Sequence, residues 1–165
     1  MTRLNRQLAQ DDTTLAEQVA ALPIHWNADG VFEVLMVTSR DTGRWVMPKG
    51  WTMDDLTLWE AAQVEALEEA GAVGPIATQE IGQYNYGKRY DNGAIVDCSV
   101  HLFPMLVKEL KSHWQEKHER TRRWFTPAKA ASLVHEAGLA TLLDRLQKDP
   151  QDQPLIRDLL EGTSW

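Results

Sequence analysis

Cysteine is nearly missing from this 165-residue chain. Cys98 stands alone, which excludes an internal disulfide and a cysteine-built metal cage. No apolar run approaches the length of about eighteen residues that a membrane-spanning helix needs. The opening Met1-Thr2-Arg3-Leu4-Asn5-Arg6 leads into polar Gln10-Asp11-Asp12 with no apolar stretch behind it, so no secretory signal is visible. A soluble, cytoplasmic protein is the expectation. Basic charge is in deficit, with 17 Lys and Arg against 24 Asp and Glu, for a net charge of −7. Such a chain does not attract nucleic acid or an anionic membrane as a whole. An anionic ligand would need a local basic patch or a bound cation.

What is present is the composition of one folded domain: 43% apolar residues, 25% charged residues and seven tryptophans. Repeats, low-complexity tracts and linkers are absent. The whole chain, 1–165, reads as a single domain with a core of about 17–147, an N-terminal arm and a C-terminal helical tail. Val19 to Trp26 and Val31 to Val37 are apolar runs around the turn Asn27-Ala28-Asp29-Gly30 and read as a hairpin. Arg44 to Met47 reads as a short strand that Pro48-Lys49-Gly50 ends. Gln79 to Arg89 and Ala94 to Val107 read as two strands around Tyr90-Asp91-Asn92-Gly93. In the second, Val96, Cys98, Val100 and Leu102 alternate with polar residues, placing Cys98 on the core side. The charged stretch from Gln115 to Arg123 reads as a solvated edge running into Trp124-Phe125. Thr126-Pro127 opens a helix, with more helix at Leu139 to Leu146 and Leu155 to Leu160. The class is α/β with a mixed sheet.

Leu58 to Ala70 reads as a helix that Gly71 terminates in a left-handed conformation. On it Glu65, Glu68 and Glu69 lie at i, i+3 and i+4, within an arc of roughly 100°. They repel one another and crowd the helix C-terminus, where the macrodipole disfavours anions. Nothing within the helix compensates. A divalent cation would, and hard oxygen ligands suit magnesium or manganese. A solvated Glu-rich face is the plainer alternative.

Set after the strand and Pro48-Lys49-Gly50, this helix resembles the Nudix hydrolase box, G-x5-E-x7-R-E-U-x-E-E-x-G-U, where U is bulky and apolar. Gly50 and Gly71 match its glycines, and Glu65, Glu68 and Glu69 its helix glutamates. The similarity extends from about Leu22 to Leu146. Four box positions depart: Leu56 stands for the glutamate, Val64 for the arginine, and the small Ala66 and Ala72 for the two bulky apolar residues. In the family the glutamate and arginine pair; here both charges are replaced together by apolar residues, a change that can preserve stability. Leu56 is expected to pack near Val64.

The resemblance implies a Nudix fold, an α/β/α sandwich, and metal-dependent (Mg2+ or Mn2+) hydrolysis of a phosphoanhydride. Glu65, Glu69 and the carbonyl of Gly50 would hold the metal, with Glu68 also at the metal and holding or deprotonating the water; Glu68 and Glu69 are thus the catalytic pair. Glu116 or Glu119 would add a later carboxylate. Val34 to Arg40, Arg44 to Gly50 and Arg120 to Phe125 resemble the diphosphoinositol polyphosphate phosphohydrolase branch, which also cleaves diadenosine polyphosphates. The implied partner is a polyphosphorylated small molecule, without membrane or nucleic acid. Arg40, Lys49, Lys88, Arg89, Arg120 and Arg122 are the cations available to bind it, with Lys117 and Arg123 beside them. Ala16-Glu17-Gln18 stands where the inositol enzymes carry a basic cluster, which weighs toward a dinucleoside polyphosphate or a smaller diphosphate. Tyr84, Tyr86 and Tyr90 could stack a base or cover a sheet face. His101 could reach a phosphate or be structural, and Trp45 and Trp124 read as core anchors. The rivals are a Nudix-fold binding module without turnover and an RNA 5′-end pyrophosphohydrolase.

Overall fold

A computed structural model describes residues 15–162; the N-terminal arm through residue 14 and residues 163–165 lie outside the described residues. The central strand is β1 (Ala16–Trp26). It runs parallel to β7 (Ile95–Leu106) along most of its length, from Ala16 opposite Cys98 to Ile24 opposite Leu106. Its other edge is divided. β4 (Lys49–Trp51) pairs antiparallel with residues 18–20, and β2 (Phe32–Thr38) pairs with residues 24–26. β3 (Trp45–Val46) and β9 (Arg122–Phe125) flank β2, and β6 (Gly82–Arg89) closes the far side against β7. β5 (Ala72–Val73) and β8 (Glu109–Leu110) form a separate small ribbon.

Helices cover both faces, so β1 and β2 are apolar on both sides and read as continuous rather than alternating runs. Val19, Ala21, Leu35, Val37, Phe103 and Met105 face α1 (Leu58–Ala70), which meets the sheet through Ala61, Ala62, Ala66 and Ala70. Ala20, Leu22, Ile24, Val34, Met36, Val100 and Leu102 face the other helices. These are α2 (Pro127–Leu133), α3 (Ala137–Leu146) and α4 (Pro154–Glu161). The layering is α/β/α around a mixed sheet, as expected. Among the described residues no helix is long and apolar enough to cross a membrane.

Several sequence expectations need correction. Pro48-Lys49-Gly50 ends β3 as expected, but the chain does not leave the sheet there. The Pro48 carbonyl accepts from the Ala21 N–H at 3.0 Å, and the chain continues as β4. The charged stretch read as a solvated edge ends in β9, paired from Arg122 opposite Val37 to Phe125 opposite Val34; its charges hide the pairing. Val96 is exposed with Ile95, because the β6–β7 hairpin extends beyond the helices that would cover it, whereas Cys98, Val100 and Leu102 are fully buried. Tyr84 is a core residue. Trp45 and Trp124 do pack against the two core clusters, as half-buried anchors: one sits edge-on to Phe125, and the other stacks at 3.5 Å on His25. His101 bears out its structural reading, held between Glu80 at 2.6 Å and Glu17 at 3.0 Å.

Candidate active site

The short turns and tight packing of β4 and α1 bring two carboxylates to the sheet edge. α1 starts at Thr57, whose hydroxyl accepts from the Glu60 N–H while the Glu60 carboxylate accepts from the Thr57 N–H, a reciprocal cap. The alanine stripe lets the helix axis approach the sheet closely. Glu65 and Glu69, four residues apart, share that buried face with exposures of 9% and 6%. Gly50 makes their approach possible: a side chain there would overlap the Glu65 carboxylate. The Lys49 N–H donates to Glu69 at 3.2 Å.

Both carboxylates hold protons more tightly than usual. Burial raises Glu65, with nearby Glu68 and Glu116 adding to it against a hydrogen bond from Glu69. Burial raises Glu69 to about 8, opposed by Arg120 and Lys49 and reinforced by Glu65 and Glu116. Two desolvated carboxylates in contact are short of positive charge. The pair and its oxygen chemistry therefore fit a hard divalent cation. No group of three or more His, Cys, Asp and Glu forms a ready-made metal cage among the described residues.

The pair opens onto a cleft of about 850 Å³ whose walls carry Arg40, Arg44, Lys49, Lys88, Arg89 and Arg120. Five of the six cations named from sequence are thus gathered here. Three wall cations are engaged. Arg40 binds Glu119 at 2.9 Å, and Arg44 binds Glu136 at 2.9 Å. Arg120 spans Glu116 at 2.6 Å and Glu69 at 3.4 Å, and donates to the Thr38 carbonyl at 3.0 Å. Lys49, Lys88 and Arg89 make no carboxylate ion pair among the described residues. The Lys49 ammonium lies 4.7 Å from the Tyr86 ring centroid, within cation–π range. Burial lowers its pKa, and Glu69 resists that fall.

Three residues named from sequence, Glu68, Arg122 and Glu119, lie off the cleft wall. Glu68 is half-buried on the helix flank, off the cleft wall, and its carbonyl accepts from the Glu116 N–H at 3.0 Å. Helical rotation separates it from the 65/69 face. Arg122 also lies outside the cleft, because its β9 register carries it to the end of α1, where it donates to the Ala70 carbonyl at 2.8 Å. Of the two later acids, Glu116 lines the cleft, whereas Glu119 is absent from its walls. Leu56 is not in solvent; it packs against the α1 alanine cluster, which keeps the loop attached without the box ion pair. Sequence reasoning missed Arg44, Gln18, Trp51 and His135 on the cleft wall. Only Arg44, four residues before Pro48-Lys49-Gly50, carried any signal.

A model of the NUDIX domain matches residues 16–146, and the chain belongs to that family. Among its relatives, Nudix hydrolase 12, mitochondrial, of Arabidopsis thaliana is 31% identical over 128 residues, covering 76% of this chain and 63% of the relative. Nudix hydrolase 18, mitochondrial, of the same plant is 31% identical over 153 residues, covering 88% and 84%. The chain spans 63% and 58% of the lengths of Nudix hydrolases 12 and 13. The fold is shared with a C. elegans Ap4A hydrolase, at TM-score 0.58 and 18% identity over 81% of this chain and 96% of that one. It is also shared with the NUDIX domain of Shewanella oneidensis NrtR complexed with ADP ribose, at TM-score 0.60 and 16% identity over 90% and 98%.

Proposed function

We propose that this chain hydrolyses a phosphoanhydride bond in a polyphosphorylated small molecule, a diadenosine polyphosphate or a diphosphoinositol polyphosphate-like compound, with Mg2+ or Mn2+. The supporting observation is the buried Glu65–Glu69 pair, deficient in positive charge and facing a cation-lined cleft. Glu65, Glu69 and the Gly50 backbone would hold the ion. When bound, it supplies a Lewis acid for a phosphoryl oxygen and lowers the pKa of a water.

The chain's own groups do the rest. Lys49, Lys88 and Arg89, unclaimed by carboxylates, receive the substrate phosphates. Glu116 lines the cleft with its carboxylate fixed by the Arg120 Nε–H at 2.6 Å, in position to take a proton from the attacking water. Glu68, off the cleft wall, is the less suitable base. Ap4A, from the name of one structural neighbour, and ADP ribose, bound to another, are both phosphoanhydrides, in keeping with this substrate class.

Phosphate release from diadenosine and diphosphoinositol polyphosphates, with magnesium present or chelated, tests the reading. Glu69→Gln, which weakens a group holding the ion, is expected to lower kcat by orders of magnitude with the fold retained. Near-normal turnover in that variant removes Glu69 from the site. One observation favours a second reading, a binding module without turnover: Arg120 already supplies Glu69 with a counter-ion from within the chain. A wild-type chain that binds these compounds and cleaves none of them would establish it.

A further inference from the structure

α1 carries three glutamates in its C-terminal half and no basic residue in its last turn. Its dipole and its charge are therefore opposed where the site is built. The last four carbonyls of a helix have no partner within it. Here a single segment, residues 111–122, supplies a donor to each of four consecutive carbonyls. The Glu116 N–H reaches the carbonyl of Glu68 at 3.0 Å and the Lys111 N–H that of Gly71 at 2.8 Å. The Trp114 indole Nε1–H reaches the carbonyl of Glu69 at 3.1 Å, and Arg122 Nη1 that of Ala70 at 2.8 Å. The Arg122 guanidinium also stacks 3.8 Å from the Trp114 ring centroid, so the two side-chain donors brace one another.

Space at the helix end is arranged for this clamp. Gly71 adopts φ +65°, and a Cβ there would meet Arg122 Nη1 at 2.9 Å and Trp114 Cβ at 3.1 Å. Arg122 is pinned in turn by its place opposite Val37 in the sheet. Between the two clamp residues the same segment delivers Glu116 and Arg120 to the cleft wall. One piece of chain thus sets both the end of α1 and the acid that faces it.

We propose that Trp114 and Arg122 are positioning residues: they fix the last turn of α1 against the 111–122 segment and so hold Glu69 in register with Glu116 at the divalent-cation site. This rests on the hydrolase reading above. Neither residue lines the cleft; each acts through the helix backbone.

The test is Mn2+ titration followed by electron paramagnetic resonance, with steady-state kinetics on a diadenosine polyphosphate, for wild type, R122Q, R122K and W114F. R122Q is expected to bind Mn2+ about 10-fold more weakly and to lose about 10-fold in kcat, with KM within about twofold, since a misplacement of about 1 Å costs up to about 100-fold. R122K, keeping the charge but not the stack, recovers part of the loss, and W114F, keeping the ring but not the donor, shows a loss of about threefold. A folded R122Q with wild-type Mn2+ affinity and kcat overturns the proposal. If R122Q does not fold, R122K and W114F decide: wild-type affinity in both overturns it. A wild-type chain that binds no Mn2+ overturns the hydrolase reading and the positioning role with it; wild-type binding beside unaffected variants overturns the positioning role alone.

Discussion

Gly50 and Glu65 occupy one another's space: the carboxylate of Glu65 fills the volume that any side chain at position 50 would need. Gly50 has no positive φ, so close approach, not backbone conformation, is what demands glycine. Gly50→Ala is therefore expected to displace the Glu65 carboxylate while leaving the sheet intact. A shift of about 1 Å in a reacting group costs up to about 100-fold. A fall in kcat of about that size, with an unchanged circular dichroism spectrum, is the expected result of assaying the purified variant.

If the buried Glu65–Glu69 pair takes the proposed cation, the chain's stability should depend on that ion. A cation that binds only the folded state, at about 100 times its Kd, stabilises by about 2.7 kcal/mol. For a chain of this size that raises Tm by about 5–10 °C. Thermal unfolding with Mg2+ or Mn2+ and then with EDTA should show the rise and its reversal. In the Glu65→Gln, Glu69→Gln double variant the rise should disappear, and the metal-free Tm should not fall, because two desolvated acids have been removed.

The wall cations should differ in their importance to substrate. Lys88 and Arg89 lie on the β6–β7 hairpin without carboxylate partners among the described residues, whereas Arg40 already holds Glu119 at 2.9 Å. A charge-assisted hydrogen bond is worth about 1.5–3 kcal/mol, so losing one raises KM about 10-fold or more. Replacing Lys88 and Arg89 with Gln should raise KM at least that much, and more for substrates with more phosphates. Arg40→Gln should shift it less. Measuring KM across dinucleoside polyphosphates of increasing length checks both statements.

The legible parts of this molecule were those written in local chemistry. The α1 helix is bounded by a Thr57 cap and by Gly71, and both signals lie beside the turn they control. The hairpin strands likewise announce themselves through Asn27 to Gly30 and Tyr90 to Gly93. What stayed hidden depends on pairing across the fold. β9 reads as a charged run because Arg122 and Arg123 belong to a strand whose partner, β2, lies about 85 residues earlier, a separation on which local propensity is silent. The same holds for the site. The i, i+4 spacing placed Glu65 and Glu69 on one face, but only the sheet's position decides that Glu68 falls outside it. Arg122 looked like a phosphate ligand because charge and proximity in sequence carry no record of register; pairing with Val37 turned it toward a helix end instead.

Tyr86 links the cleft wall to the sheet beneath it. Its hydroxyl donates to the Gln18 side-chain carbonyl at 2.6 Å, and Gln18 is only 3% exposed. Its ring face receives the Lys49 ammonium. These two contacts can be separated. Tyr86→Phe keeps the ring and removes the donor, leaving a buried amide oxygen without that partner at a cost of about 1–3 kcal/mol. Its Tm should fall while KM holds near the wild-type value, because Lys49 retains its ring. Tyr86→Leu removes both contacts. If Lys49 is positioned through the ring for the substrate's phosphates, KM should rise in the Leu variant and not in the Phe variant. Equal KM values in the two variants would show that the ring does not position Lys49.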